Sequence, residues 1–212
     1  MTNKFNQDYF TNGPASGLSN YVDYRWMPEL TLSACRSIIR YLDLKPEEPI
    51  LDWGCARGFM VRAYRELGYK AWGYDISEWA IANCDPSVSE YVSNQCPLNA
   101  PYWIVAKDVL EHVHIVDLKK TIRFFMEGAR RGILICVPLT NEDGGPYVLD
   151  VDNQDSTHVI RWPFHQWLEF LQQQIDDLAA PFVVSGGHRL PGLKEYGGLR
   201  HNGCGFFTLR RY

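Results

Sequence analysis

The sequence predicts an α/β fold: a doubly wound sheet of seven strands, mostly parallel, with an antiparallel C-terminal strand. Three observations carry that expectation. Short β-branched or apolar runs alternate with amphipathic stretches, the pattern of a sheet flanked by helices. The run Ile50-Leu51-Asp52-Trp53-Gly54-Cys55-Ala56-Arg57-Gly58-Phe59 reads as a strand, a glycine turn and a helix start. After residue 180 two apolar runs follow each other with no helical stretch between them, so they should pair antiparallel.

Taken in order, the chain opens with an aromatic N-terminal arm, residues 1–28, carrying Phe5, Tyr9, Phe10, Tyr21, Tyr24 and Trp26. Leaving these rings in water is costly, so they should pack on the core or cover the mouth of a site. Residues 29–44 place Leu30, Ala34, Ile38, Tyr41 and Leu42 at helical spacing, and Pro46 and Pro49 close that helix before a strand at 49–53. A helix at 58–67 ends at Gly68, and 70–74 forms the second strand. Ser77 suits the N-cap of a short helix that carries Trp79, Ala80 and Ile81.

Pro86, Pro97 and Pro101 interrupt the next section, which leaves a third strand near 91–93 and a fourth at 102–106. Helix 117–130, opened by Asp117, puts Leu118, Ile122, Phe125 and Met126 on one side, and strand five is 132–138. Residues 139–163 are polar and rich in Asn, Asp and Gly, longer than the roughly 12–15 residues usual for a connection without a task of its own. They are expected to form a lid. Pro163 fits the first turn of a helix at 164–178, and strands follow from Pro181 to Ser185 and from Gly205 to Arg210.

At 212 residues the chain is expected to be a single domain, 1–212, long enough for a sizeable core. Its longest apolar runs, such as 132–137, fall far short of the roughly 18 residues of a membrane span. The N-terminal residues lack the apolar core and small-residue cleavage site of a secretory signal, so a cytoplasmic location is expected. Six cysteines are spread without a C-x-x-C pair, which points to reduced, buried thiols and to no metal centre. The net charge of −4 argues against a partner held through a basic surface, nucleic acid included. Residues 182–212 nevertheless gather Arg189, Lys194, Arg200, Arg210 and Arg211 against Glu195 alone, either a solvated edge or a patch for an anionic substrate.

The glycine turn points to a nucleoside-containing ligand. A strand that feeds a helix through such a turn brings backbone N–H groups and the helix dipole to the strand's carboxyl edge, and Gly54 and Gly58 allow close approach. Asp75 ends the adjacent strand, 21 residues beyond Gly54, where two acceptor oxygens suit the two hydroxyls of a ribose. A dinucleotide site needs G-x-G-x-x-G, but Ala56 and Phe59 occupy the second and third glycine positions. That disfavours NAD and FAD.

The segment Leu51-Asp52-Trp53-Gly54-Cys55-Ala56-Arg57-Gly58, with Gly73-Tyr74-Asp75-Ile76-Ser77 and Lys107-Asp108-Val109-Leu110-Glu111-His112-Val113, resembles the class I S-adenosylmethionine-dependent methyltransferases. The resemblance covers roughly residues 30–180 and implies a Rossmann-like sheet. It implies that Asp52, Gly54, Ala56 and Gly58 face the methionine part of the cofactor, that Asp75 holds the ribose, and that Ile76 lies against the adenine. Lys107 joins the cofactor side. Asn94 and Gln95 stand where the family often has an acid beside the adenine amine, and Ala56 replaces the commoner middle glycine.

On the acceptor side, methyl transfer is an in-line displacement that needs alignment and, for a hydroxyl acceptor, a nearby base. His158, in the lid, is the leading candidate base, and it resembles a histidine found after strand five in small-molecule branches of the superfamily; Asp108 is the alternative. Glu111 and His112 belong to a tetrad common across the superfamily, which implies a part in shaping the pocket. Tyr21 and Tyr24 of the arm, with Tyr147 and Arg161 of the lid, are candidate acceptor contacts. His114, His165, His188 and His201 are assigned no role.

The expected activity is therefore S-adenosylmethionine-dependent O-methylation of a small molecule or glycan. The absence of an Asn-Pro-Pro-Tyr or Asp-Pro-Pro-Tyr motif, and of a Pro-Cys pair after strand four, sets the acceptor apart from a nucleic-acid base. Two alternatives stay open: a non-catalytic methyltransferase-like binding subunit, and a nucleotide-dependent oxidoreductase. Neither the acceptor atom nor the oligomeric state is legible in the sequence.

Overall fold

A computed structural model describes residues 4–96, 101–194 and 202–212. Arg200 and Glu195 of the basic C-terminal edge, and His201, lie outside the described residues. In chain order the elements are α1 (Gln7–Thr11), α2 (Gly13–Ser16), α3 (Pro28–Leu42), β1 (Ile50–Trp53), α4 (Phe59–Glu66), β2 (Ala71–Tyr74), α5 (Glu78–Ala82), β3 (Val92–Ser93), β4 (Trp103–Lys107), α6 (Ile115–Gly128), β5 (Gly132–Pro138), α7 (Asp150–Asn153), α8 (Phe164–Asp177), β6 (Phe182–Gly187) and β7 (Cys204–Arg211).

The seven strands form one sheet in the order β3-β2-β1-β4-β5-β7-β6. Strands β1 to β5 pair parallel, and β7 runs antiparallel to both β5 and β6. The order reverses at β1, so the connections that leave the carboxyl ends of the paired β1 and β4 run to helices on opposite faces of the sheet and open a crevice between them.

Alternation along each strand divides the core into two layers. In β4, Trp103 and Val105 face the α3–α4 side with Cys35, Ile38, Val61 and Tyr64, while Ile104 and Ala106 face the α6–α8 side with Leu118, Ile122, Phe125 and Trp167. Strand β5 divides likewise, and all seven of its residues are buried. Side chains of period two on a strand point to opposite faces, so a strand covered on both sides is apolar throughout. Each fully buried Leu, Ile or Phe contributes about 1.5–3 kcal/mol, and the two layers are what hold the sheet edge rigid under the site.

Three local features differ from the sequence reading. Helix α6 begins at Ile115, with His114 in the N-cap position, so Asp117 does not open it. Asp117 sits in the first turn, beside the positive end of the helix dipole, and pairs with Lys120 at 2.8 Å. The N-terminal arm is not a plain extended segment: it folds into α1, capped by the Asn6 side chain accepting from the Tyr9 N–H, and α2, ended by Gly17 at φ 68°. Both helices are too short for periodicity to reveal.

The third difference is the 139–163 segment, which is tied down along its length. Thr140 bridges Tyr147, the Gly144 N–H donates to the Arg161 carbonyl at 2.8 Å, and the Val159 and Ile160 N–H groups both donate to the Glu111 carbonyl at 2.8 and 3.0 Å. Among the described residues no helix is long and apolar enough to cross a membrane.

Candidate active site

A cavity of about 520 Å³ opens at the carboxyl ends of β1, β2 and β4. Its floor is the turn after β1. Gly54 has φ 80°, and a Cβ there would stand 2.2 Å from Cγ2 of Val109, so left-handed backbone and close approach both require glycine. The Gly54 and Cys55 N–H groups donate to the Tyr74 carbonyl at 2.7 and 3.0 Å, the Ala56 N–H to Asp75 Oδ2 at 2.7 Å, and the Gly58 N–H to the Cys55 carbonyl at 2.8 Å. These four amides are engaged within the protein. The turn supplies room for a ligand more than donors, which corrects the expectation drawn from its glycines.

Asp75 lies just beyond β2 and is 8 % exposed. Its Oδ1 accepts from the Ser77 N–H and its Oδ2 from the Ala56 N–H, each at 2.7 Å. Each oxygen keeps a second lone pair beyond these bonds, the number a vicinal diol needs. Ser77 caps α5 by accepting from the Ala80 N–H, and donates its own hydroxyl to the Phe5 carbonyl at 2.5 Å. The same turn thereby holds the arm in place.

Asp52, Gly54, Ala56, Asp75, Ile76 and Lys107 all border the cavity, and so do Asp108, Tyr21, Tyr24 and His112. Gly58 does not border it. It caps α4 at φ 79°, where a Cβ would meet Val92 Cγ1 at 2.9 Å, so its glycine serves backbone and packing. Asn94 and Gln95 are exposed and also lie off the cavity wall, the Gln95 N–H donating to Ser93 Oγ at 2.9 Å. Ala56 has φ 48°, a left-handed conformation that costs a non-glycine residue of order 1–3 kcal/mol and concentrates at functional turns.

Asp108 is a different group from the one its position suggested. At φ 56° it turns back between Lys107 Nζ, 2.5 Å from Oδ2, and Lys194 Nζ, which bonds Oδ1. Although burial alone would push the carboxyl up, the two ammonium groups outweigh it and hold Asp108 well below the usual carboxylate range. A carboxylate so held is a weak proton acceptor. Sequence reasoning left Lys194 among the basic residues of the C-terminal edge, because nothing local marks a partner 86 residues away.

The lid candidates assemble behind the cavity wall. Glu111, His158, Tyr147 and Arg161 do not border the cavity, whereas His112 does. The His112 and His158 rings lie 4.6 Å apart, and Tyr147 packs edge-on to His158 at 5.2 Å. The Tyr147 hydroxyl donates to the Ile160 carbonyl at 2.6 Å and the Arg161 guanidinium stacks over the Tyr147 ring, so both support the lid from inside and offer no wall to an acceptor. Burial pushes His112 and His158 below the ordinary imidazole value and Glu111 well above the ordinary carboxyl value.

The arm roofs the cavity with Phe5, Tyr9, Phe10, Tyr21 and Tyr24. Phe10 stacks on Trp79 at 5.5 Å, and the Tyr9 hydroxyl donates to Asp155 Oδ2 of the lid at 2.9 Å. The arm therefore packs against α5 and closes the site at once. Asp155-Ser156-Thr157 is a turn signature in which Oδ1 accepts from the Thr157 N–H at 2.8 Å.

With this geometry in hand, similarity to known proteins can be placed on it. The family described as "Methyltransferase domain" matches residues 25–179. No curated protein matches the chain. Among solved structures, a SAM-dependent methyltransferase from Archaeoglobus fulgidus is 18% identical with TM-score 0.63, the match covering 87% of this chain and 95% of that one. Magnesium protoporphyrin IX methyltransferase from Synechocystis PCC 6803, with bound SAM, is 13% identical with TM-score 0.59, covering 85% and 79%. A chain of the Pnkp1/Rnl/Hen1 RNA repair complex is 15% identical with TM-score 0.58, covering 85% of this chain but only 42% of that one, less than half its length. At these identities the likeness is one of fold.

Proposed function

The chain belongs to the methyltransferase-domain family and uses S-adenosylmethionine as its methyl donor, and from that premise we propose that it methylates a hydroxyl of a small molecule or glycan. The observation that carries the reading is that Asp75 and His112 line one cavity, the carboxylate beside the glycine turn and the imidazole under the aromatic roof. A volume of about 520 Å³ falls in the range of small-molecule sites, and the arm covers this cavity with aromatic rings. In this reading Lys107 and Asp52, which line the cavity, take the charged amino-acid end of the donor, and Asp75 takes its ribose.

The reaction forms a bond between the acceptor oxygen and the methyl carbon as the carbon–sulfur bond breaks. Its electron pair stays on sulfur, leaving a neutral thioether, and the hydroxyl proton departs. That proton leaves on the side of the cavity where His112 stands, with Glu111 and His158 behind it. Asp108 instead anchors two lysines.

Calorimetry with S-adenosylhomocysteine, followed by mass spectrometry of small-molecule, glycan and RNA panels incubated with labelled donor, tests the reading. Label in small molecules or glycans is expected; label in RNA alone would overturn the acceptor class. Binding of NAD with no binding of S-adenosylhomocysteine would return the chain to the oxidoreductases.

The donor site has a pH signature. Burial pushes Asp52 up to about 7, against the pull of Lys107. A raised carboxyl keeps its proton in the folded state, so this group withdraws stability as pH climbs from its unfolded value near 4 to about 7. The sulfonium and ammonium of the donor favour the ionised form, so donor affinity should rise several-fold between about pH 6 and about pH 8. Asp52→Asn should flatten that rise; a slope unchanged in the variant would assign it elsewhere.

A further inference from the structure

We infer that Glu111, His112 and His158 form a binding site for one divalent transition-metal ion, set in the wall between the cavity and the lid. One ligand atom from each lies within 4.8 Å of the others. His158 Nε2 stands 3.9 Å from Glu111 Oε1 and 3.8 Å from Asp155 Oδ2. Those separations are too long for hydrogen bonds. They suit two ligands of one ion, since bonds of about 2.1 Å place neighbouring ligands about 3.0 Å and opposite ligands about 4.2 Å apart. Closure of roughly half an ångström to one ångström brings all three into that range.

A second observation concerns one of the same three residues. Glu111 is 1 % exposed, and its Oε2 has no hydrogen-bond partner. A buried carboxylate oxygen left without a partner is costly, and a cation between it and two imidazoles removes that cost. The backbone already holds the ligands together, because the amides that follow His158 in the chain, those of Val159 and Ile160, both donate to the Glu111 carbonyl.

The outer layer fixes which nitrogen of His112 is available. The Thr157 hydroxyl donates its proton to Asp155 Oδ1 at 2.5 Å, so at its 2.7 Å contact with His112 Nδ1 it must accept. Nδ1 then carries the hydrogen and Nε2 offers a lone pair. An imidazole whose far nitrogen is tied through a hydroxyl to a buried carboxylate is the usual support of a metal ligand. Asp155 is itself held by the Tyr9 hydroxyl, so the arm, the lid and this site are one connected structure.

Two imidazoles and one carboxylate favour Mn²⁺, Fe²⁺, Co²⁺ or Zn²⁺ over Mg²⁺ or Ca²⁺, which take oxygen ligands. Three protein ligands leave positions for water or for an acceptor oxygen reaching in past His112. Its use in catalysis rests on the methyl-transfer reading: a hydroxyl on the ion gives its proton to solvent at lower pH, and its oxygen then takes the methyl carbon as the carbon–sulfur pair returns to sulfur.

The test strips the full chain with chelator, loads it with Co²⁺, removes excess ion, counts metal by plasma mass spectrometry and records the visible Co²⁺ spectrum. About one ion per chain is expected. Glu111→Gln and His158→Gln should each lower affinity by more than the roughly 10- to 100-fold that loss of an outer partner costs, and Thr157→Val by roughly that amount. No ion on the wild-type chain overturns the proposal, as does equal affinity in all four proteins. Should one ligand variant fold poorly by circular dichroism, the other and Thr157→Val decide. Calorimetry with S-adenosylhomocysteine on the stripped protein separates the two readings: cofactor binding without metal uptake sinks this inference alone, and metal uptake without cofactor binding sinks the methyl-transfer reading alone.

Discussion

Asp108→Asn should lower folding stability by about 3–5 kcal/mol, the scale for removing one partner of a buried ionic cluster. The exchange leaves Lys107 and Lys194, whose side chains are 23% and 11% exposed, facing each other across an amide that cannot neutralise either. Asn tolerates the left-handed backbone that Asp108 adopts at φ 56°, so the loss reports charge and not conformational strain. Urea unfolding at neutral pH measures it.

The pH dependence carries its own signature. Asp108 is held well below the ordinary carboxyl value, so its contribution is complete above about pH 4 and is lost only as strong acid reaches the lowered folded value. The variant lacks that acid-labile part, and its deficit should shrink at alkaline pH, where one of the two ammonium groups can release a proton. A deficit under about 1 kcal/mol, the scale of exposed ion pairs, would show that solvent in the cavity already screens the cluster. The result bears on chemistry too, because an anchor for two lysines is not a group that accepts a proton during turnover.

Asp75→Ala should weaken donor binding by about 1.5–3 kcal/mol, the scale for charged hydrogen bonds, or roughly ten- to 150-fold in affinity. Two effects add. The ribose loses its acceptors, and the Ala56 N–H loses the carboxylate that holds the turn at φ 48°. Asp75→Asn retains one acceptor oxygen and should fall between the two. Calorimetry with S-adenosylhomocysteine reads the series. Affinity unchanged in Asp75→Ala would remove the ribose from this end of the cavity.

Much of this site was legible in the chain. The strand boundaries and the glycine turn follow from local signals, an apolar run, a glycine and a capping serine, and Asp75 from its place at the end of the next strand, 21 residues beyond Gly54. The pairing of β6 with β7 followed from the missing helix between them. Other features failed to show for the same reason. Helices α1 and α2 are a turn or little more each and exist because aromatic side chains bury against α5 and the cavity. Tyr147 and Arg161 read in the sequence as acceptor contacts, yet in the fold Tyr147 packs edge-on to His158 and Arg161 stacks over Tyr147. Gly58 carries the same sequence signal as Gly54, but only the fold shows that Val92 and Val88 occupy the space above it.

The sequence by itself determined the sheet, the glycine turn after its first strand and the family, because each depends on local propensity and on periodicity along the chain. Only the tertiary structure decided what the polar groups are for. Lys194 meets Asp108, Asp155 meets Tyr9, and Glu111 meets His158 across separations of 86, 146 and 47 residues. The charge and proton position of a buried group are set by whichever partners packing brings beside it, and spacing in sequence carries no record of them.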